Sequence, residues 1–353
     1  MLMYSFQVGV LGATGAVGQK FIRLLEDHPW FTIETLGASK RSAGKKYKHA
    51  AHWIEKTEMP ARAADMTVQE CSPEQFADVD FVFSGLDSSV AEEIERAFAE
   101  AGIPVISNAK NYRMHDQVPL LVPEVNPEHA ALIEKQSFTE DGSGWIVTNP
   151  NCVSVPLSMS LKPLHDAFGI DSLVITSIQS VSGAGYPGVS SMDIVANVVP
   201  YIGGEEPKVE TESTKLLGSL DEDSIAFEDF TIQATAVRVP TIEGHLLSVA
   251  AKLKGTPSLE EVKTAFTDWD NPIAELDLPS SPSTPIRLYE ENRYPQPRIH
   301  AEREGGMQTA VGRLREGTVM DIGYVTMAHN TIRGAAGGAI LNAELLAAKG
   351  YIS

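Results

Sequence analysis

Hydrophobic and polar positions change rhythm twice along the 353-residue chain. Residues 6–11 (Phe6-Gln7-Val8-Gly9-Val10-Leu11) are almost continuously apolar, the pattern of a strand buried on both faces. The run leads straight into Gly12-Ala13-Thr14-Gly15-Ala16-Val17-Gly18 and then into an amphipathic stretch to about Glu26, which predicts a helix. Further strand patterns at 32–36, 79–84, 103–107 and 145–148, with a helical pattern at 91–101, predict a parallel sheet with helices on its faces. From about Val153 the rhythm changes. A helical pattern carrying Pro163 precedes a β-rich run at 172–181, and strands are predicted at 231–238, 246–253 and 319–327. Segment 279–285, proline and serine or threonine throughout, reads as a loop. Strands outnumber helices in this half, so an α+β domain with a mostly antiparallel sheet is expected, one face free for a second subunit. A last helical pattern at 331–349 contains Gly334-Ala335-Ala336-Gly337-Gly338, small residues that allow close packing, and is expected to return to the first half.

Length adds that one hydrophobic core is too few, so two domains are expected. The division falls at 1–151, joined by the returning 331–353, and at 152–330. A net charge of −19 argues against nucleic acid or an anionic membrane surface as partner, and no apolar run of about 18 residues exists to span a bilayer. Any anionic ligand must then be held by a few local cations. The two cysteines, Cys71 and Cys152, have unlike surroundings and suggest no disulfide framework, which fits a reducing cytoplasm. Residues 1–6 lack a basic leader region, so no signal peptide is expected.

The strand, glycine turn and helix at 6–26 form the arrangement in which a pyrophosphate sits on backbone N–H groups, a Rossmann-type α/β nucleotide fold. Gly12, Thr14, Gly15, Ala16 and Val17 are the candidate contacts, with Ser84 and Gly85 at the end of a neighbouring strand. After the second strand an NAD site usually places a carboxylate for the ribose 2′-hydroxyl. Here Ser39-Lys40-Arg41-Ser42 offers hydroxyls and cations instead, which suits a 2′-phosphate, so NADP is expected, with Ser39, Arg41 and Ser42 as contacts. A solvated basic loop is the alternative.

Candidate chemistry centres on Asn149-Pro150-Asn151-Cys152, which puts a cysteine where a helix should begin. The helix terminus would stabilise a thiolate, and its free N–H groups an oxyanion. Gln179 lies late in a strand, where an amide could orient a substrate. Arg238 and His245, seven residues apart around a proline and a glycine, could meet in one cleft; arginine binds carboxylates bidentately and histidine transfers protons near neutral pH. Lys208 and Arg113 add cations for a second anionic group. Each of these residues also has an ordinary structural reading, as a buried thiol, a surface ion pair or a core histidine.

Taken in order, GATGAVG, ASKRSAGKKY, SNAKNYRM, PNC, IQSVSGAGYPG, GGEEPK, RVPTIEGH and NTIRGAAGG resemble the aspartate-β-semialdehyde dehydrogenases, archaeal and fungal branch, over essentially the full length. The resemblance implies NADPH-dependent reductive dephosphorylation of aspartyl-β-phosphate to the semialdehyde, in the aspartate pathway to lysine, threonine and methionine. It implies Cys152 as the nucleophile that forms a thioester, His245 as acid/base, and Gln179 orienting the substrate. Arg238 would bind the α-carboxylate and Glu205 the amino group, while Lys208 and Arg113 would hold the phosphate, with Asn151 beside them. Gly183 and Asn330 are candidate cofactor contacts, no metal is expected, and a homodimer or homotetramer is. One departure is Val153-Ser154-Val155-Pro156 after the cysteine, where small hydroxyl residues are common; Pro156 could shift the helix start and leaves the oxyanion donors open. The competing readings are a malonyl-CoA reductase of the same fold and a non-catalytic NADP-binding sensor.

Overall fold

A computed structural model describes residues 4–352. The ends of the two expected segments, residues 1–3 and 353, and with them half of the stretch read for a leader, lie outside the described residues. In chain order the strands are β1 (Phe6–Leu11), β2 (Phe31–Ala38), β3 (Gln69–Glu70), β4 (Phe81–Ser84), β5 (Val105–Ser107), β6 (Ile146–Thr148) and β7 (Ile170–Gln179). They continue with β8 (Ser219–Leu220), β9 (Ile225–Ala226), β10 (Thr231–Arg238), β11 (His245–Leu253), β12 (Ile286–Tyr289), β13 (Thr309–Glu316) and β14 (Ile322–Ala328).

The first sheet is wholly parallel in the order β3-β2-β1-β4-β5-β6, so the chain reverses direction of growth beside β1. In such sheets the crevice beyond the strand ends at that reversal receives the ligand. The first helix, Ala16–Leu25, leaves β1 through the glycine turn. Gly12 adopts a φ of 73° there, and a Cβ on Gly18 would lie 2.3 Å from the Gly12 carbonyl, so only glycine lets the helix start this close to the strand. The helix Ser88–Glu100 follows β4 and is capped by Asp87, whose carboxylate accepts from Ser89 N at 2.9 Å; such a cap contributes about 1 kcal/mol.

The second sheet runs β10-β7-β11-β14-β13-β12, and here the expectation of a mostly antiparallel sheet is corrected. Its three central pairs are antiparallel, but β10 pairs with β7 and β12 with β13 in parallel, so the sheet is mixed. The reason is connectivity. Residues 180–230 form a long excursion that brings the chain back beside β7 in the same direction, and 290–308 do the same between β12 and β13. The segments β12 and β13 had given no strand signal.

Among the described residues two large hydrophobic cores form, with two smaller clusters beside them. One lies around the first sheet and takes in Ile332, Ala336, Ala339, Ile340, Leu345 and Leu346 from the C-terminal segment. The other packs the helix Ser154–Phe168 on the second sheet through Val155, Leu157, Met159, Leu161 and Leu164. The final regular helix is Gly337–Ala348 and is buried on every side, as an apolar helix inside a core must be. The single helix expected from 331 is interrupted: Ile332–Ala336 form a π turn, with Ala335 at φ −151° and ψ −106°. Among the described residues no helix is long and apolar enough to cross a membrane.

Candidate active site

The segment after β6 crosses from the first sheet to the second core, and Cys152 lies on that crossing. Asn151 Oδ1 accepts from Val153 N at 2.8 Å, and the Asn151 carbonyl accepts from Val155 N at 3.1 Å. Asn151 therefore fixes the turn that leads into the helix Ser154–Phe168 and holds the cysteine just ahead of its first residue. Pro156 does not displace the start. It sits inside the first turn, where its missing N–H has no intrahelical partner to lose. From the opposite side the π turn presses in: a Cβ on Gly334 would stand 2.8 Å from the Cys152 Cβ.

Cys152 keeps a partial opening to solvent. Burial nevertheless pushes its thiol up to about 12, with Glu205 adding to the rise and Arg113, Arg238 and Lys208 opposing it. The expected thiolate is thus corrected to a resting thiol. A helix terminus contributes about 0.3–1 kcal/mol, less than one pH unit, and desolvation outweighs it.

The second sheet delivers three candidate side chains to one end. Parallel register pairs Gln179 with Arg238 at the C-terminal ends of β7 and β10, and antiparallel β11 begins beside them at His245. Arg238 Nη1 donates to the Ser180 carbonyl at 2.7 Å. A Cβ on Gly183 would lie 2.9 Å from both Arg238 Nη1 and His245 Nε2, so the glycine turn closes over both side chains. Burial, then Arg238, pushes the imidazole down to about 3, which leaves it neutral. Its tautomer follows from its neighbours. Asn330 Oδ1 accepts from Gly244 N at 2.9 Å and from Ser180 Oγ at 3.0 Å. With the hydroxyl hydrogen so engaged, Ser180 N donates to His245 Nδ1 at 3.2 Å, and the ring hydrogen sits on Nε2. That Nε2 is buried and unpartnered among the described residues.

Glu205 joins the two halves of the cluster. Its carboxylate accepts from Asn151 Nδ2 at 3.0 Å, Gln179 Nε2 at 3.2 Å and Lys208 Nζ at 2.9 Å. Burial alone would raise its pKa, but these three donors hold it below the ordinary carboxylate value. Arg113 comes from the loop after β5 and donates through Nη2 to the Asn108 carbonyl at 2.7 Å; its buried Nε has no partner among the described residues. The sequence-predicted Cys152, Gln179, Arg238, His245, Glu205, Lys208, Asn151 and Arg113 therefore meet at one end of the second sheet, around the Asn151-Cys152 turn.

The remaining candidates divide. Gly12, Thr14, Gly15, Ala16 and Val17 form the turn above β1, and Ser84 and Gly85 end the adjacent β4. A Cβ on Gly12 would lie 2.7 Å from the Gly85 carbonyl, so the two loops close into one cradle. Ser39, Arg41 and Ser42 follow β2 in an open turn, with Arg41 exposed. Gly183 and Asn330 lie instead with His245 and Arg238. A cavity of about 330 Å³ opens between the first helix and the turns after β7 and β10, lined by Ala16 and Lys20 on the helix and by Ser182, Gly185, Glu243 and Thr331. The glycine cradle and the basic turn after β2 have the donors and cations that fit a dinucleotide. Three residues of the site gave no sequence signal as single positions: Ser180, which fixes the His245 tautomer, Glu95, buried beneath Ser84 and Ser107, and Glu212. The recurrence of Glu205, Glu212 and Lys215 on one helical face was the one signal available for the last.

Residues 7–133 match the family described as semialdehyde dehydrogenase, NAD binding domain, and residues 161–333 match semialdehyde dehydrogenase, dimerisation domain. The aspartate-semialdehyde dehydrogenase of Aspergillus fumigatus is 47% identical over 98% of this chain and 98% of its own. That of Archaeoglobus fulgidus is 48% identical over 97% and 98%. Among solved structures, aspartate semialdehyde dehydrogenase with NADP from Candida albicans superposes with a TM-score of 0.91 at 44% identity, covering 98% of this chain and 99% of that one. Aspartate semialdehyde dehydrogenase II complexed with ASA from Vibrio cholerae gives 0.76 at 28% identity over 98% and 99%.

Proposed function

The chain belongs to the aspartate-semialdehyde dehydrogenase family, and on that premise we propose how its own residues carry the family's reaction. The reaction is NADPH-dependent reduction of aspartyl phosphate to aspartate semialdehyde in the aspartate pathway, by way of a cysteine. Cys152 is the nucleophile and accepts the aspartyl group as a thioester. The observation that carries this assignment is the convergence on its turn of two anion-binding sides, Arg238 on one and Arg113 with Lys208 on the other, around a carboxylate, Glu205. A substrate with one carboxylate, one phosphate and one ammonium needs that pattern of charges. Glu205 raises the thiol's pKa, and an ammonium bound to it offsets that charge, so substrate binding itself favours ionisation of Cys152.

Bound NADPH supplies the hydride that reduces the thioester. The glycine cradle at Gly12, Thr14, Gly15, Ala16, Val17, Ser84 and Gly85 would hold its pyrophosphate, and Ser39, Arg41 and Ser42 its 2′-phosphate. Gly183 and Asn330 shape the end of the cleft nearest the sulfur. As an N–H donor, His245 Nε2 faces the oxygen that gains charge when the carbonyl carbon becomes tetrahedral; Gln179 and Asn151 hold Glu205 and with it the substrate's amino group. The division at residue 151 is part of this reading and is supported by the two separate cores, one of which includes the C-terminal helix. A second copy of the chain on the second domain, as homodimer or homotetramer, is supported by exposed apolar side chains there, Met192 at 87% and Tyr201 at 68% among them.

The test is a two-substrate assay. Aspartate semialdehyde, phosphate and NADP⁺ together should raise NADPH absorbance, and malonyl-CoA with NADPH should not be turned over. Turnover of malonyl-CoA alone would overturn the phosphate-site assignment.

A further inference from the structure

The helix Glu206–Leu216 carries two buried charges, Glu212 and Lys215, that none of the steps above uses. Glu212, only 2% exposed, divides its carboxylate between two segments far apart in the chain. One oxygen accepts from Arg113 Nη1 at 3.0 Å, and the other accepts from Asn151 N at 2.6 Å. One turn further on, Lys215 is also buried and donates to the carbonyls of Arg113, His115 and Val118 at 2.8, 2.8 and 2.9 Å. Residues three apart on a helix face the same side, so the two charges act on one surface. Lys215 fixes the backbone of the 113–118 loop while Glu212 fixes the guanidinium that the loop carries. The second oxygen of Glu212 then ties that guanidinium to the residue preceding Cys152.

We propose that Glu212 is a positioning residue that sets the separation between the nucleophile's turn and the phosphate-binding cation. The inference rests on the reading of Arg113 as a phosphate contact. Only a carboxylate serves both donors. In a glutamine the oxygen could accept from Asn151 N, but its NH₂ would then face Arg113 Nη1, donor against donor. Arg113 would lose its tether, and the phosphate would lose a cation aimed along a fixed line from the sulfur.

Run from semialdehyde, the reaction separates the two halves of this claim. Mixing enzyme with semialdehyde and NADP⁺ without phosphate gives one NADPH burst, which reports acylation of Cys152. Adding phosphate gives steady turnover, which reports its attack on the thioester. For Glu212→Gln the burst should persist with a semialdehyde KM within about twofold of the parent, while the phosphate KM rises by on the order of tenfold. Arg113→Ala is measured alongside. If Arg113→Ala raises the phosphate KM and Glu212→Gln does not, the positioning role is wrong while the reading of Arg113 stands. If Arg113→Ala leaves the phosphate KM unchanged, both are wrong. Loss of the burst in Glu212→Gln together with all other activity, with NADP⁺ binding intact, would mean a general structural role and would also overturn the proposal. Should Glu212→Gln not fold, Glu212→Asp, which keeps the charge but withdraws it by one methylene, carries the same expectation.

Discussion

At Cys152 the charges proposed to bind substrate also set the reactivity of the sulfur. Burial and Glu205 hold the thiol protonated, with a pKa pushed up to about 12, and the three cations only partly offset them. Since the thiolate is the reacting form, alkylation of Cys152 in the free enzyme should accelerate about tenfold per pH unit from pH 7 to about 10. Peptide mapping separates it from Cys71, and a plateau below pH 8 would contradict the account. In Glu205→Gln the whole profile should move to lower pH, by on the order of one unit for the loss of one nearby like charge. The side chains proposed to touch substrate could be picked out in the sequence, because Cys152, Gln179, Arg238 and His245 each carry a chemistry their residue type announces. Ser180, Asn330 and Glu212 were not legible in these roles. Their effect comes entirely from partners 61 to 150 positions away, such as Asn151 for Glu212 and Asn330 for Ser180.

The turn after β2 shows what a short element contributes. Residues 39–42 leave the sheet with no carboxylate among them, and Arg41 reaches solvent where a ribose phosphate would lie. Replacing Arg41 by Ala should raise the KM for NADP by on the order of tenfold while changing that for NAD far less. An equal rise for both would place the 2′-phosphate elsewhere. The first sheet could be foreseen because strands buried on both faces are continuously apolar and β1 flows into its glycine turn. The second could not be foreseen in full. Whether β10 lies parallel or antiparallel to β7 depends on the path of residues 180–230, which local periodicity does not encode. Strand β13 is also broken by Arg313 at φ 57°, which shifts the register against β14 and blurs the alternation. The π turn at 332–336 was hidden for a different reason. Its small residues suit a helix, and only the approach of Gly334 to Cys152 shows why the segment departs from one.

Across the whole molecule, the crossing that carries Cys152 joins the two main cores, so the contacts proposed for substrate and for cofactor are each drawn from both domains. The exposed side chains Met192, Val195, Val198 and Tyr201 lie together in the 180–230 excursion, a patch that a lone chain would leave in water. Light scattering should therefore give at least twice the 38.1 kDa of one chain, and Met192→Asp should weaken the assembly; a monomer at all concentrations would contradict it. Every role assigned here depends on acylation of one sulfur. Enzyme mixed with semialdehyde and NADP⁺ in the absence of phosphate, quenched in acid and mapped by mass spectrometry, should carry one aspartyl group on the peptide containing Cys152, released when phosphate is added before the quench. Turnover without any such adduct, or an adduct confined to another residue, would contradict the account.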